Sequence, residues 1–207
     1  LINGLIPHYY EGTLQGTVSV CGRDPSETPL DALACVTGSV FQNPRSQFFC
    51  VDTTSELAFG CENLGLPEEE VARRVMRAAR QLQIEPLLGR NLFQLSGGEK
   101  QKIACGSVSA MEPEVMILDE PTSNLDLDAI KGLGEILLHW KRQGKTIVVA
   151  EHRLDWLSQI CDRVIFMQAG RIAGDFDGPG FWAMPPEKLH GMGLRGTAQT
   201  RSFLETA

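Results

Sequence analysis

The chain has 207 residues, of which 43% are hydrophobic and 22% charged, with a formal net charge of −7. This composition is typical of a globular domain, and the acidic balance argues against a nucleic-acid partner, which favours a basic surface. No apolar run approaches the roughly 20 residues that a membrane-spanning helix needs. The six cysteines form no C-x-x-C pair, so we expect reduced thiols of a cytosolic protein and neither a disulfide framework nor a zinc site.

The first half of the chain predicts two strands and then a helical segment. Alternating residues at 13–20 predict a strand, and an apolar run at 34–41 predicts a second strand that ends at Gln42. Residues 43–110 have helical character. A first helix is predicted from its apolar spacing near residue 55. A second begins at Pro67 and the three glutamates that follow it, and extends to about residue 82. Ser96 can cap the start of a third helix.

The second half alternates between strands and helices. Strands are predicted at 115–118, 146–150, 163–167 and 171–176, and helices at 128–142, 153–160 and 186–192, before a loose tail. This alternation favours an α/β fold with a parallel sheet and right-handed crossovers. Ligands in such sheets bind at the carboxyl ends of the strands.

Two segments carry the most chemical information. Residues 95–101, Leu-Ser-Gly-Gly-Glu-Lys-Gln, place a serine and two glycines at a helix start, where free N–H groups and the positive end of the helix dipole favour an anion. Eighteen residues after Gln101, Asp119 ends a buried-strand pattern and Glu120 follows it. Asp119 suits Mg²⁺, which prefers a carboxylate with waters and phosphate oxygens, and Glu120 can polarise an attacking water.

Two polar residues follow other predicted strands. Gln42 lies at the end of the second strand, and His152 lies 32 residues after Glu120, at the end of the strand predicted at 146–150. Each candidate residue has an ordinary alternative explanation. A loop glutamine such as Gln42 is often only solvated, and a single histidine such as His152 is usually structural. The Asp-Glu pair at 119–120, which precedes a proline, can cap a turn. The ordered set favours a common site.

These segments together resemble the motifs of the ATP-binding cassette (ABC) ATPases: the signature motif at 95–101, the Walker B motif at 115–120, the Q-loop at Gln42, the D-loop at 123–126 and the switch histidine at His152. The resemblance implies a P-loop NTPase-like core, an ABC domain over 1–178 with a helical subdomain at about 43–110, and a tail or linker at 179–207. It also implies ATP and Mg²⁺ as cofactors. The implied roles are catalysis by Glu120 and His152, metal binding by Asp119 and Gln42, and ATP contacts from Gln42, Ser96, Gly97, Gly98, Gln101 and Asp126.

The sequence departs from the family pattern in one important respect. The phosphate-binding G-x-x-x-x-G-K-[ST] loop is absent, because the one Gly-Lys-Thr, at 144–146, has His139 where the first glycine belongs. We interpret that tripeptide as a turn. Residues 1–7 resemble the tail of the helix that follows this loop, so we expect a chain that begins past the loop and the N-terminal strands and is inactive alone. The alternative is a degenerate ATPase. A milder departure is Lys102, where the family often has arginine.

Finer features indicate a branch of the family. Residues 41–44, 46–47, 56–60 and 62–67 resemble the energising ATPases of energy-coupling-factor (cobalt-type) importers of vitamins and metal ions. The resemblance implies a peripheral protein on the cytoplasmic side of the cell membrane, with residues 45–66 against a transmembrane subunit. It also implies a head-to-tail dimer with a second ABC ATPase subunit or fused cassette, in which Ser96, Gly97 and Gly98 face the other cassette's nucleotide.

Two other functions compete with this interpretation. A non-transport ABC ATPase that acts on DNA would carry a long coiled coil, and Leu95 follows Gln42 by only 53 positions, which leaves no room for one. A ribosome-acting member would need a charged linker and a second cassette, which the chain does not show. A binding-only domain with a decayed site is disfavoured by Glu120 and His152.

Overall fold

A computed structural model describes residues 1–10 and 12–194. The chain forms two compact units, one comprising residues 1–152 and the other beginning at Arg153. Within the described residues, no helix combines the length and apolar character that crossing a membrane requires. All six cysteines are free thiols.

The first unit contains six helices and three strands among its described residues. In chain order they are α1 Leu5–His8, α2 Leu30–Ala34, β1 Thr37–Val40, α3 Thr53–Asn63, α4 Glu68–Gln81, α5 Gly97–Ala110, β2 Val115–Asp119, α6 Leu127–Arg142 and β3 Thr146–Ala150. Short 3-10 turns lie at Pro44–Ser46, Glu85–Leu87 and Leu92–Gln94. The described chain between β1 and β2 is therefore helical, as predicted for residues 43–110.

The strands of the first unit form a parallel sheet with β2 in the centre, in the order β1-β2-β3. Val40 of β1 is opposite Leu118 of β2, and Asp119 is opposite Ala150 of β3. The carboxyl ends of all three strands therefore lie along one edge of the sheet. This arrangement confirms the predicted α/β fold with a parallel sheet.

Helix α5 lies between the sheet and the other helices of residues 43–110. It packs against β1, α3, α4 and α6, and Ile103 and Ala104 on it are fully buried. Trp140 of α6 is 1% exposed and donates its indole N–H to Ser109 Oγ at 2.7 Å. These contacts fix α5 against β1 and α6.

The packing of α5 on β1 leaves no space at Gly38. A Cβ atom there would collide with the side chain of Val108 and lie 2.9 Å from Cγ of Pro113. Only glycine lets the helix approach the strand so closely.

Two of the predicted elements are wrong, and one is shorter than predicted. Residues 13–20 form no strand; the described chain there makes only a bridge between Val20 and Arg23, and Gly16 has a positive φ of 94° that interrupts an extended segment. The helix predicted at 153–160 is only a 3-10 turn at Asp155–Leu157. The apolar run at 34–41 is a strand only over Thr37–Val40, because Ala34 ends α2.

The second unit contains an antiparallel hairpin and two short helices in its described part. Strands β4 Arg163–Gln168 and β5 Arg171–Asp177 pair through a turn at Gly170, and α7 Gly178–Trp182 and α8 Pro186–Gly191 follow. The strand predicted at 163–167 is present, but its described partner is the antiparallel β5. The helix predicted at 186–192 is confirmed. The tail predicted after it lies mostly in residues 195–207, outside the described residues.

Candidate active site

The loops that follow three neighbouring parallel strands meet at one edge of the sheet. Gln42 lies two residues after β1, Glu120 directly after β2, and His152 two residues after β3. Because the strands are parallel and in register, their carboxyl ends bring these three residues together although 110 positions separate the first from the last.

The carboxylate of Glu120 lies between the other two side chains. Gln42 donates from Nε2 to Oε2 of Glu120 at 2.9 Å, and Nε2 of His152 lies 2.9 Å from Oε1. The side chain of His152 is 83% exposed and that of Glu120 31% exposed. Exposed contacts of this kind contribute little to folding stability, so a ligand can displace them at low cost.

The backbone of Glu120 has an unusual conformation. Its φ is 41°, in the left-handed region that non-glycine residues rarely adopt. Its N–H still donates to the Ala150 carbonyl at 2.8 Å, which continues the pairing of β2 with β3 by one residue. The chain then turns away from the strand direction. Backbone strain of this type is common where a catalytic side chain must be aimed.

Asp119 is the last residue of β2 and its side chain is exposed. The carboxylate has no hydrogen-bond or ion-pair partner among residues 1–10 and 12–194. In that part of the chain no three histidine, cysteine or acidic side chains are grouped to hold a metal ion. A single free carboxylate suits Mg²⁺, which keeps most of its waters and takes its other ligands from phosphate oxygens.

A hydrogen bond that the sequence did not predict links the loops after β2 and β3. Thr122, which is fully buried, donates from Oγ1 to Oε2 of Glu151 at 2.6 Å. Oε1 of Glu151 accepts from the backbone N–H of His152 at 2.8 Å. The contact holds the His152 backbone next to Glu120. Its only sequence signal is that Thr122 lies two residues after Glu120 and Glu151 directly before His152.

The segment at 95–101 forms the start of α5. The Ser96 hydroxyl accepts from the Glu99 N–H at 3.2 Å, and the Glu99 carboxylate accepts from the Ser96 N–H at 2.8 Å, a reciprocal capping box. The pKa of Glu99 is held below its usual range, mainly by the hydrogen bond from the Ser96 N–H. The hydrogen bond with the Ser96 side chain and the nearby Arg90 guanidinium lower it further. Within the described chain, Ser96 makes no hydrogen bond to Gln42, Glu120 or His152.

Two other predicted ATP-contacting residues have structural contacts in the described chain. Asp126 accepts from the Ala129 N–H at 2.8 Å and caps α6. At Gly98, an added Cβ would lie 2.7 Å from the Ala129 Cβ. The start of α5 therefore packs closely on the start of α6, and glycine is required for that approach. The predicted ATP roles of Asp126 and Gly98 stay predictions.

A cavity of about 310 Å³ lies between the loop after β1, the start of α5 and the loop after β2. Gln101 lines it, is 2% exposed, and has no hydrogen-bond partner for Nε2. Gln42 and Gly97 also line it. The structure thus brings Gln42 next to both Glu120 and α5. The sequence did not predict the cavity, nor that the charged residues Arg45 and Lys100 line it.

The fold and this edge of the sheet define an α/β domain with a parallel sheet and a helix that opens on Ser-Gly-Gly. A family model described as ABC transporter matches residues 1–123, and the chain belongs to that family. The predicted family membership and fold class are therefore confirmed.

Similar proteins agree with this assignment. A putative ABC transporter ATP-binding protein of Treponema denticola is 49% identical over 195 residues, which cover 94% of this chain and 40% of the relative. One of Methanosarcina acetivorans is 38% identical over 196 residues, covering 93% of this chain and 32% of the relative. The chain therefore spans well under half the length of these relatives.

Two solved structures are similar. The cbiO1 protein of Clostridium perfringens, described as part of the ABC transporter complex cbiONQ, gives a TM-score of 0.79 at 30% identity, covering 91% of this chain and 75% of that one. The ATP-binding cassette MJ0796, in a dimeric post-hydrolysis state bound to ADP and Pi, gives a TM-score of 0.67 at 21% identity. The match covers 79% of this chain and 73% of that one. The second likeness shows the fold alone.

Proposed function

We propose that this chain contributes the hydrolytic residues of an ATPase that binds ATP with Mg²⁺ and energises an ABC transporter. The observation that supports this most is the position of Glu120 between Gln42 and His152, with the free carboxylate of Asp119 beside it. Phosphoryl transfer to water depends on positioning and charge stabilisation. One sheet edge here brings together the groups that this requires: a general base, an amide, an imidazole and a metal-binding carboxylate.

In the proposed reaction each side chain has one task. Mg²⁺, when bound, neutralises charge on the phosphate oxygens, and Asp119 would hold it, in part through water, with the Gln42 amide oxygen as a further ligand. Glu120 accepts the proton of the attacking water at a carboxylate oxygen. His152 holds the terminal phosphate. Because both Glu120 oxygens are now in contact with Gln42 and His152, loading of the site exchanges at least one of these contacts for the water.

A second cassette is part of the proposal. In the described chain the Ser96 N–H donates to Glu99, whereas the Gly98 N–H, in the first turn of α5, has no partner within the helix. We assign the Gly98 N–H and the proton of the Ser96 hydroxyl to a nucleotide held by another copy or a fused cassette. The similar MJ0796 structure is described as dimeric. The proposed arrangement is a head-to-tail dimer with each nucleotide between two cassettes.

A transmembrane partner is also proposed, on the basis of an exposed apolar surface. The side chains of Phe49, Val51 and Phe93 are 74%, 60% and 78% exposed. Their segments run side by side, because Leu92 donates its N–H to the Val51 carbonyl at 2.9 Å. Phe49 also stacks on Phe59 with ring centroids 4.8 Å apart. Clustered exposed aromatic residues typically mark a protein interface.

The nature of the partner is proposed from the sequence motifs and one neighbour. Residues 45–66, which the family resemblance places against a transmembrane subunit, include Phe49, Val51 and Phe59. The similar cbiO1 protein is described as part of a transporter complex. We infer uptake of a vitamin or metal ion, with this chain on the cytoplasmic side of the cell membrane. Co-purification with membrane proteins encoded beside its gene tests this inference, and no association would overturn it.

The hydrolytic proposal is tested in a fusion that joins a strand, a G-x-x-x-x-G-K-[ST] loop and a helix of a family member ahead of Leu1, called here the P-loop fusion. It is expected to hydrolyse ATP only with Mg²⁺. Asp119→Asn is expected to lower the rate at least tenfold and to raise the Mg²⁺ requirement, because the metal loses its charged ligand. Asp31→Asn, at an exposed aspartate of α2, is the matched control. An unchanged Mg²⁺ dependence in Asp119→Asn would remove the metal role.

A further inference from the structure

We propose that Glu56 is a positioning residue, whose buried carboxylate holds Phe49 at the surface proposed to meet a transmembrane partner. This role rests on that proposed partner and adds the group that orders its contact surface. Glu56 lies in α3 and is only 3% exposed. It takes no part in the proposed hydrolysis, so the burial of its carboxylate needs another explanation.

The Glu56 carboxylate binds the backbone of the loop before α3. Its Oε2 atom accepts hydrogen bonds from the N–H groups of Phe49 and Cys50, both at 2.9 Å. A buried carboxylate is costly unless donors satisfy it, and a charged acceptor makes stronger hydrogen bonds than a neutral one. Among the described residues Glu56 has no ion-pair partner, so its charge acts on the backbone of this loop.

The loop needs such a contact because Phe49 itself buries little surface. Its side chain is 74% exposed and stacks on Phe59 with ring centroids 4.8 Å apart. Phe59 follows Glu56 by three positions in α3, so both side chains project from the same side of that helix. Glu56 thus fixes the backbone at Phe49, and Phe59 supports the ring.

A second buried polar residue of α3 holds the other loop of this surface. Thr53 is fully buried, donates from Oγ1 to the Leu87 carbonyl at 2.7 Å and accepts from the Arg90 N–H at 3.2 Å. These contacts fix the segment that leads into Phe93, which is 78% exposed. Helix α3 therefore orders both loops that carry exposed aromatic residues of this surface.

An ordered surface binds a partner more tightly than a mobile one, because less free energy is lost in fixing the loop on binding. The buried Glu56 side chain does not itself reach a partner. Its effect on partner binding is therefore expected to act through the position of Phe49.

Three substitutions in the 207-residue chain separate these effects. Glu56→Met removes the acceptor and keeps an apolar side chain of similar length, whereas Glu56→Gln keeps an acceptor oxygen without the charge. Phe49→Ala removes the exposed ring and leaves Glu56 in place. Glu69→Met, at an exposed glutamate of α4 outside residues 45–66, is the matched control.

Amide hydrogen exchange, measured by NMR, tests whether Glu56 holds the loop. In the wild-type chain the amides of Phe49 and Cys50 are expected to be protected, and that of Val51, which has no hydrogen bond within the described residues, to exchange rapidly. Glu56→Met should speed exchange at both protected amides by about tenfold or more. Glu56→Gln should have a smaller effect and Glu69→Met none. The amides of β2 report whether each variant is folded.

The second measurement is the amount of the membrane proteins encoded beside the gene that co-purifies with the chain. Glu56→Met and Phe49→Ala are each expected to lower this amount about tenfold, as for the loss of an aromatic anchor. Glu69→Met should leave it unchanged. The double variant of Glu56→Met and Phe49→Ala should lose no more than the larger single loss, because both changes act through one side chain.

The outcomes separate failure of this role from failure of the proposed function. Rapid exchange at Phe49 and Cys50 in the wild-type chain overturns the role of Glu56 without any variant. Equal effects of Glu56→Gln and Glu56→Met on exchange would overturn the role of the acceptor oxygen.

Co-purification by Glu56→Met at the wild-type level, or additive losses in the double variant, would show that Glu56 serves only the fold. If the wild-type chain captures none of these membrane proteins, the proposed partner is wrong, and a role of Glu56 in binding it is overturned too. The exchange rates then still show whether Glu56 holds the loop.

Discussion

The Nε2 atom of Gln42 donates to Oε2 of Glu120 at 2.9 Å, although 78 residues separate them along the chain. The contact joins the loop after β1, which leads into the helical segment, to the loop after the central strand β2. A movement of the helical segment therefore changes the surroundings of the proposed general base directly. The same carboxylate contacts His152, so Glu120 touches both the loop after β1 and the loop after β3.

The first prediction concerns the surface that is proposed to meet a second cassette. In the P-loop fusion, Ser96→Arg is expected to abolish ATP hydrolysis and ATP-driven dimerisation, measured by light scattering. The affinity of the monomer for ATP should stay nearly unchanged. The arginine side chain projects from the first turn of α5 and keeps the opposite cassette from closing.

Ser96→Ala is the matched control for that variant. Both substitutions remove the hydroxyl that caps α5, which costs about 0.5–2 kcal/mol of stability, but alanine adds no bulk. The control should therefore lose stability and still dimerise. Dimerisation by Ser96→Arg, or an equal loss of monomer affinity, would disprove the cross-cassette role.

The second prediction concerns the acid sensitivity of α5. Hydrogen bonds from Ser96 hold the pKa of Glu99 below the ordinary value of 4.5. A lowered pKa in the folded state contributes stability above the pKa of the unfolded chain and loses it as the pH falls through the folded value. The capping contribution of Glu99 is therefore expected to decline as the pH is lowered below about 4.5.

Urea unfolding of wild type and Glu99→Gln between pH 7 and 3 measures this contribution. Wild type should be the more stable protein at neutral pH, and the difference should shrink in acid. Direct titration of the Glu99 carboxyl carbon by NMR should give a pKa below that of an exposed glutamate. A stability difference that does not depend on pH would contradict the account.

The third prediction concerns the contact of α5 with β1. Gly38→Ala is expected to destabilise the fold by about 1–3 kcal/mol, because its Cβ would overlap the Val108 side chain and crowd Pro113. Gly12→Ala is the control, since an added Cβ there has no atom within 4 Å. Thermal unfolding measures both. Equal melting temperatures for the two variants would show that β1 and α5 can separate without cost.

Much of the first unit follows from simple patterns in the sequence. The apolar runs before Asp119 and before Ala150 predict β2 and β3, and the parallel arrangement then brings Glu120 and His152 to one edge. Ser96 and Glu99 predict the cap of α5, which the structure shows. These features depend on local residue types and on the general geometry of parallel sheets.

Other features depend on packing that a single sequence does not reveal. Residues 13–20 alternate like a strand, but no described strand pairs with them and Gly16 turns the backbone. Leu154 and Leu157 have helical spacing, yet isolated helices of eight residues are marginal, and only Asp155–Leu157 forms a turn. The buried amide of Gln101 is likewise a consequence of how α5 packs.

The proposed hydrolysis depends most on Glu120 as the general base. Steady-state ATP hydrolysis by the P-loop fusion and its Glu120→Gln variant tests this claim most directly, with Glu135→Gln, at an exposed glutamate of α6, as the control. Loss of a general base costs about 10²–10⁴ in rate, so Glu120→Gln should bind ATP, hydrolyse almost none and accumulate as an ATP-bound dimer, while Glu135→Gln behaves as wild type. A Glu120→Gln rate within a factor of about two of wild type would contradict the account, because a true base has a far larger effect.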